Sequence, residues 1–105
     1  MDQRTINEIV TYLKESLAES GINVDSIALF GSAISGELTT SCDLDIIIIS
    51  EDFRDKDIFE RAKITMNPEV MTIRKFKVPL DVLNMTVEEY NRLNERRVYR
   101  TKVVA

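Results

Sequence analysis

The sequence predicts an α/β (α+β) domain in which helices flank a small mixed β-sheet. Three observations carry this expectation. Apolar residues recur at three- and four-residue steps in separate segments, the pattern of helices with one buried face. Three short apolar runs lie between turn-forming residues, as strands do. Finally, a helix-like segment separates the second run from the third but not the first from the second. Parallel strands need such a crossover, whereas antiparallel neighbours can be joined by a loop. The chain has 105 residues, the size of one ordinary domain, so a single unit over residues 1–105 is expected.

In order, Ile6, Ile9, Val10, Leu13 and Leu17 form the apolar stripe of a first helix over residues 5–17, with Gly21 placed to end it. Residues 26–30 read as a buried strand halted by Gly31-Ser32, and residues 33–42 as a loop with at most a short helical turn. Leu44 and residues 46–49 form a β-branched run that suits a central strand covered on both faces. Ile58, Phe59, Ala62 and Met66 mark a second amphipathic helix over residues 55–66, with Pro68 just past its expected end. Residues 78–83 read as a third strand, and Thr86-Val87-Glu88-Glu89 as a capping box that opens a last helix reaching about residue 96. The cationic tail with Arg96, Arg97, Arg100 and Lys102 reads as a solvated helix end, and the four Met as core filler.

Composition narrows the chemistry. The chain has no His, which excludes His-based acid–base catalysis, Ser-His-Asp triads and His-ligated metals. Its single Cys forms no internal disulfide. The formal charge is −4 without a long basic block, so nucleic acid is disfavoured as the main partner. No apolar run is long enough to cross a bilayer, and a cytoplasmic location is expected.

The informative residues are acidic. Asp43 and Asp45 stand two apart at the head of a strand, so their side chains share one face. Like charges placed this way repel, and solvent or a cation must relieve them. Hard divalent ions such as Mg²⁺ take oxygen ligands of this kind. Asp81 lies inside the third apolar run. If that strand runs parallel beside the second, three carboxylates converge and suit a two-metal site for in-line displacement at phosphorus, with Asp81 as general base. Gly31-Ser32 follows the first strand. There a glycine lets the backbone approach a phosphate, and a serine adds a hydroxyl donor.

Gly31-Ser32, residues 33–42, then Asp43-Leu44-Asp45 resembles the signature of the DNA polymerase β-type nucleotidyltransferase superfamily, nearest its minimal, MNT-type members. Leu29-Phe30, Gly36-Glu37, Cys42, Ile46-Ile47, residues 50–53 and 59–61, Pro79-Leu80-Asp81-Val82-Leu83, Thr86 and Glu88-Glu89-Tyr90 extend the likeness across residues 26–95. The resemblance implies a nucleotidyltransferase fold, ATP or another nucleoside triphosphate as donor, two Mg²⁺ ions, and transfer of a nucleoside monophosphate (AMP from ATP) to a hydroxyl acceptor. By position, Gly31 and Ser32 would hold the triphosphate. Asp43 and Asp45 would bind both metals, and Asp81 would complete the site beside the acceptor. Some MNT-type proteins are antitoxins of helical HEPN toxins. The alternative expectation is therefore a weak or inactive domain that binds such a partner, or forms a homodimer. Two departures favour that alternative: Ala33-Ile34-Ser35 stands where many relatives carry Arg, and Cys42 where Ser is usual.

Overall fold

A computed structural model describes residues 2–31, 43–96 and 100–105. The first helix, α1, spans Gln3–Glu19 and is capped by Asp2, whose Oδ1 accepts the Thr5 N–H at 2.8 Å. Its stripe of Ile6, Ile9, Val10, Leu13 and Leu17 is fully buried. Strand β1 (Ser26–Phe30) runs antiparallel to β2 (Leu44–Ile49), and β2 runs parallel to β3 (Leu80–Met85). The crossover between β2 and β3 holds a 3-10 turn at Glu51–Phe53 and helix α2 (Ile58–Phe76). Helix α3 (Val87–Arg96) follows, and β4 (Thr101–Val103) closes the chain. The four strands lie in the order β3-β2-β1-β4, the mixed sheet flanked by helices that the sequence predicts.

Alternation along the strands divides the core in two. Ile27, Leu29, Leu44, Ile46 and Ile48 face α1 and the inner side of α2, whereas Ala28, Phe30, Ile47 and Ile49 face Tyr90 and Leu93 of α3. Residue parity in β2 and β3 therefore decides which helix layer a side chain meets.

Three expectations need correction. Helix α2 does not stop before Pro68 but runs through it to Phe76. Proline costs the helix one N–H bond. Here Pro68 is buried, its carbonyl accepts the Thr72 hydroxyl at 2.7 Å, and Ile64 and Phe76 join the core on either side of it. Lys77, in the left-handed conformation (φ 58°), ends the helix instead. Second, the cationic tail is not merely solvated. It contributes β4, which pairs antiparallel with β1 through Ala28↔Val103, Leu29↔Lys102 and Phe30↔Thr101. The methionines also depart from core filler, since Met66 and Met71 are exposed. The expected loop at residues 33–42, together with Ser32, Arg97 and Tyr99, lies outside the described residues.

Candidate active site

The register of the two parallel strands places Asp45 directly beside Asp81. Both follow the parity of Ile47 and Ile49, so they lie on the α3 side of the sheet, at the end of β2 and β3 where those strands begin. Asp45 is half-buried and Asp81 exposed; Asp43, just before β2, is exposed as well. None of the three forms an ion pair among the described residues. Burial pushes the Asp45 carboxyl above its ordinary value, the charges of Asp81 and then Asp43 push it the same way, and a hydrogen bond with Asp81 adds to the effect. Asp45 and Asp81 thus form a close pair to which Asp43 contributes charge. Among the described residues, the three do not close into one cluster of three metal ligands.

Gly31 ends β1 at φ 66°, the left-handed region that glycine tolerates best. The space around it gives a second reason for glycine. A Cβ at this position would stand 2.5 Å from Oδ2 of Asp45. The Gly31 backbone therefore lies close against the Asp45 carboxylate. Ser32, the other expected phosphate ligand, lies outside the described residues.

The β1–β2 pairing, extended by one step past Leu29↔Ile46, sets Phe30 opposite Asp45. Thr101 of β4 is paired with Phe30 on its other side. One row thus crosses the sheet through Asp81, Asp45, Phe30 and Thr101. The Thr101 hydroxyl donates to Asn94 Oδ1 at 2.7 Å, which leaves it to accept from the Tyr90 hydroxyl at 2.9 Å. This latch ties β4 to α3, and no motif in the sequence announces it.

Arg61 is a second residue whose role no motif in the sequence announces. Its side chain is only 12% exposed. The guanidinium donates to the carbonyls of Phe53 (3.0 Å), Lys56 (2.9 Å) and Asn84 (3.1 Å), and to Glu89 Oε1 at 2.7 Å. Glu89 also accepts the Thr86 N–H at 2.8 Å and returns its own N–H to Thr86 Oγ1, completing the expected capping box. Arg61 thus anchors the far end of β3 and the start of α3, and so helps fix the strand that carries Asp81.

The donor set suits a hard divalent cation. Its ligand atoms are carboxylate oxygens, the pair lacks a cationic partner among the described residues, and the glycine turn beside it leaves backbone close to whatever binds there.

Comparison with curated protein sequences returned no match. Two solved structures share the fold. A candidate nucleotidyltransferase from Sulfolobus solfataricus is 18% identical, with a TM-score of 0.60 over 98% of this chain and 87% of its own. A second candidate nucleotidyltransferase is 20% identical, with a TM-score of 0.55 over 95% of this chain and 97% of its own. The family model described as "Polymerase beta, Nucleotidyltransferase" matches residues 7–105. That match spans the glycine turn, both aspartate-bearing strands and the closing strand, and the chain belongs to the polymerase beta nucleotidyltransferase family.

Proposed function

We propose that this chain transfers a nucleoside monophosphate, AMP from ATP, to a hydroxyl acceptor and releases pyrophosphate. The observation that carries the reading is the in-register pairing of Asp45 with Asp81 against the Gly31 turn. Asp43, Asp45 and Asp81 would hold two Mg²⁺ ions. Bound there, the ions would neutralise the triphosphate and lower the pKa of the acceptor hydroxyl. Gly31 admits the triphosphate to the strand end, with Ser32 as the expected hydroxyl donor. Asp81, the exposed member of the pair, takes the proton as the acceptor oxygen bonds to the α-phosphorus and the bond to the bridging oxygen of the β-phosphate breaks. Burial first, and then the charges of Asp81 and Asp43, raise the affinity of Asp45 for protons, and a bound cation would offset both costs. Incubation with labelled ATP, Mg²⁺ and native lysate should transfer label to an acceptor. Asp43→Asn and Asp45→Asn should abolish the transfer without unfolding the protein. Wild-type turnover in both variants would overturn the reading.

A second reading is favoured by a separate surface. Ile58, Ala62, Met66 and Val70 recur every four residues along the outer face of α2, and all are exposed, as are Phe59 and Met71. A groove of about 560 Å³ adjoins this stripe, with Val82, Leu83, Met85 and Leu93 in its apolar wall. Such a continuous apolar strip suits a protein partner, either a HEPN-type helical protein, in an antitoxin-like role, or a second copy of this chain. Calorimetry separates the readings. Saturable, metal-dependent ATP binding favours the enzyme, whereas no binding at millimolar ATP favours a pure binding role. Sedimentation of the isolated chain tests the homodimer.

A further inference from the structure

We propose that two copies of this chain pair through the outer face of α2, antiparallel, about a two-fold axis that passes between Ala62 and Met66; this rests on the reading of that face as a protein-binding surface. Ile58, Ala62, Met66 and Val70 are uncharged and stand four residues apart, so they form one ridge along the helix surface. Reversing this ridge on itself sets Ala62 of each copy against Met66 of the other, and Ile58 against Val70 at both flanks. A small residue thus faces a large one at the crossing, where the alanine lets the two helices approach. Ridges of this four-residue kind pack into one another at about 50°, the commonest crossing between helices. The order Ile-Ala-Met-Val is therefore complementary to its own reversal, which is what a two-fold contact requires.

The area is of the right size. Ile58 is 72% exposed, Phe59 78% and Met66 55%, and with Val70 they present on the order of 500 Å², large for a chain that works alone. A stable dimer hides about 800 Å² on each partner, and the adjoining groove supplies the remainder through Val82, Leu83 and Leu93. No charge has to be buried. Lys63 stands exposed at one border of the ridge, where its ammonium stays in water. Glu69, at the other border, accepts the Thr65 hydroxyl at 2.5 Å. Helix α2 packs on the sheet face of Ile27, Leu29, Leu44 and Ile46 through Ile64 and Phe76. Asp45 and Asp81 belong to the other face, with Ile47 and Ile49. Pairing through α2 therefore leaves the carboxylates of both copies open.

The test is sedimentation of the full chain over a concentration series, joined to cross-linking. Wild type should dimerise in the micromolar range. Met66→Glu should raise the dissociation constant at least about 100-fold, because the two-fold places two unpaired carboxylates in one apolar contact. Its circular dichroism should match wild type. Met71→Glu changes an exposed residue on the far side of α2 and should leave the dimer intact. Ile58 and Val70 are twelve residues apart, so the two Ile58 of a dimer stand about 18 Å apart along the helices. In a Cys42→Ser background, a short bis-maleimide should join an Ile58→Cys chain to a Val70→Cys chain but not two Ile58→Cys chains. A dimer that survives Met66→Glu, or that cross-links Ile58→Cys to itself, would overturn the pairing. A monomeric wild type that retains a lysate protein, lost in Met66→Glu, would overturn the second copy and leave the protein-binding reading standing. A monomer that retains nothing would overturn both.

Discussion

The two ends of the β-sheet hold acidic residues in opposite circumstances. At the end where β2 leaves the sheet, the carboxylates are satisfied. Asp52 Oδ2 accepts the Asn23 N–H at 2.7 Å, Asp25 Oδ2 accepts the Glu51 N–H at 3.1 Å, and Glu51 accepts the Val87 N–H at 3.1 Å and Arg54 Nε at 2.8 Å. The Arg54 hydrogen bond, then that of Val87, holds the Glu51 carboxyl below its ordinary value. At the end where β2 enters, Asp45 and Asp81 share one row without a cation among the described residues, and burial together with neighbouring charge pushes Asp45 the other way. Carboxylates thus stand in two settings. Those with donors hold the crossover in place, and the Asp45–Asp81 pair has no cationic partner among the described residues, the setting the proposed metal site would use. Glu51 and Asp45, one from each end, are shifted in opposite directions.

The largest expected effect comes from disarming the uncompensated end. Asp81→Asn should lower nucleotidyl transfer by at least about 100-fold, read as label transferred per minute, while the melting temperature holds. A variant with more than a tenth of wild-type turnover would break the contrast drawn here.

Next in size is Arg61→Ala, which removes the guanidinium's hydrogen bonds to three carbonyls and to Glu89. Buried acceptors stripped of a partner cost about 1–3 kcal/mol each when water cannot reach them. A loss of about 2 kcal/mol or more in denaturant unfolding is expected, and a loss below about 0.5 kcal/mol would remove Arg61 from the scaffold.

The two glycines among the described residues, both left-handed, refine the comparison. At Gly21 (φ 87°) a Cβ meets nothing within 4 Å, whereas at Gly31 (φ 66°) it meets Asp45 Oδ2 at 2.5 Å. Gly21→Ala should cost about 1 kcal/mol of backbone strain and leave ATP binding untouched. Gly31→Ala should carry the same strain and also impair Mg²⁺-dependent ATP binding by displacing the Asp45 side chain. Equal ATP affinities in the two variants would show that the close approach is unimportant.

The smallest effect is in the pH dependence of stability. Glu51, with its folded value lowered, adds stability above its ordinary value that is lost as pH falls through the folded one. Asp45, with its value raised, favours the fold only at acid pH and withdraws that support as pH rises through its folded value. In metal-free buffer, Glu51→Gln should therefore flatten the acid side of the stability curve. Asp45→Asn should raise stability above the folded value of Asp45. Superimposable melting-temperature profiles for wild type and both variants would contradict the two signs.

Much of this arrangement was legible before the structure. The β-branched run of β2 and the crossover to β3 implied parallel neighbours, and two Asp inside apolar runs stood out because burial penalises them. The capping box at Thr86 was equally plain. Other features depend on partners distant in sequence. Strand β4 is three residues long with one Lys and one Thr, and it exists because the free edge of β1 offers it a ladder. The passage of α2 through Pro68 is sustained by packing on both sides, which outweighs one missing hydrogen bond. Arg61 looks like any helix-surface cation until its four acceptors, drawn from the 3-10 segment, β3 and α3, are seen together.

The central claim is that Asp45, paired with Asp81 beside Gly31, holds a divalent cation and through it a nucleoside triphosphate. The most direct measurement is calorimetric titration of ATP into wild type and Asp45→Asn, each in Mg²⁺ and in EDTA. The account predicts saturable binding only for wild type in Mg²⁺. Equal binding in EDTA, or undiminished binding by Asp45→Asn, would contradict it.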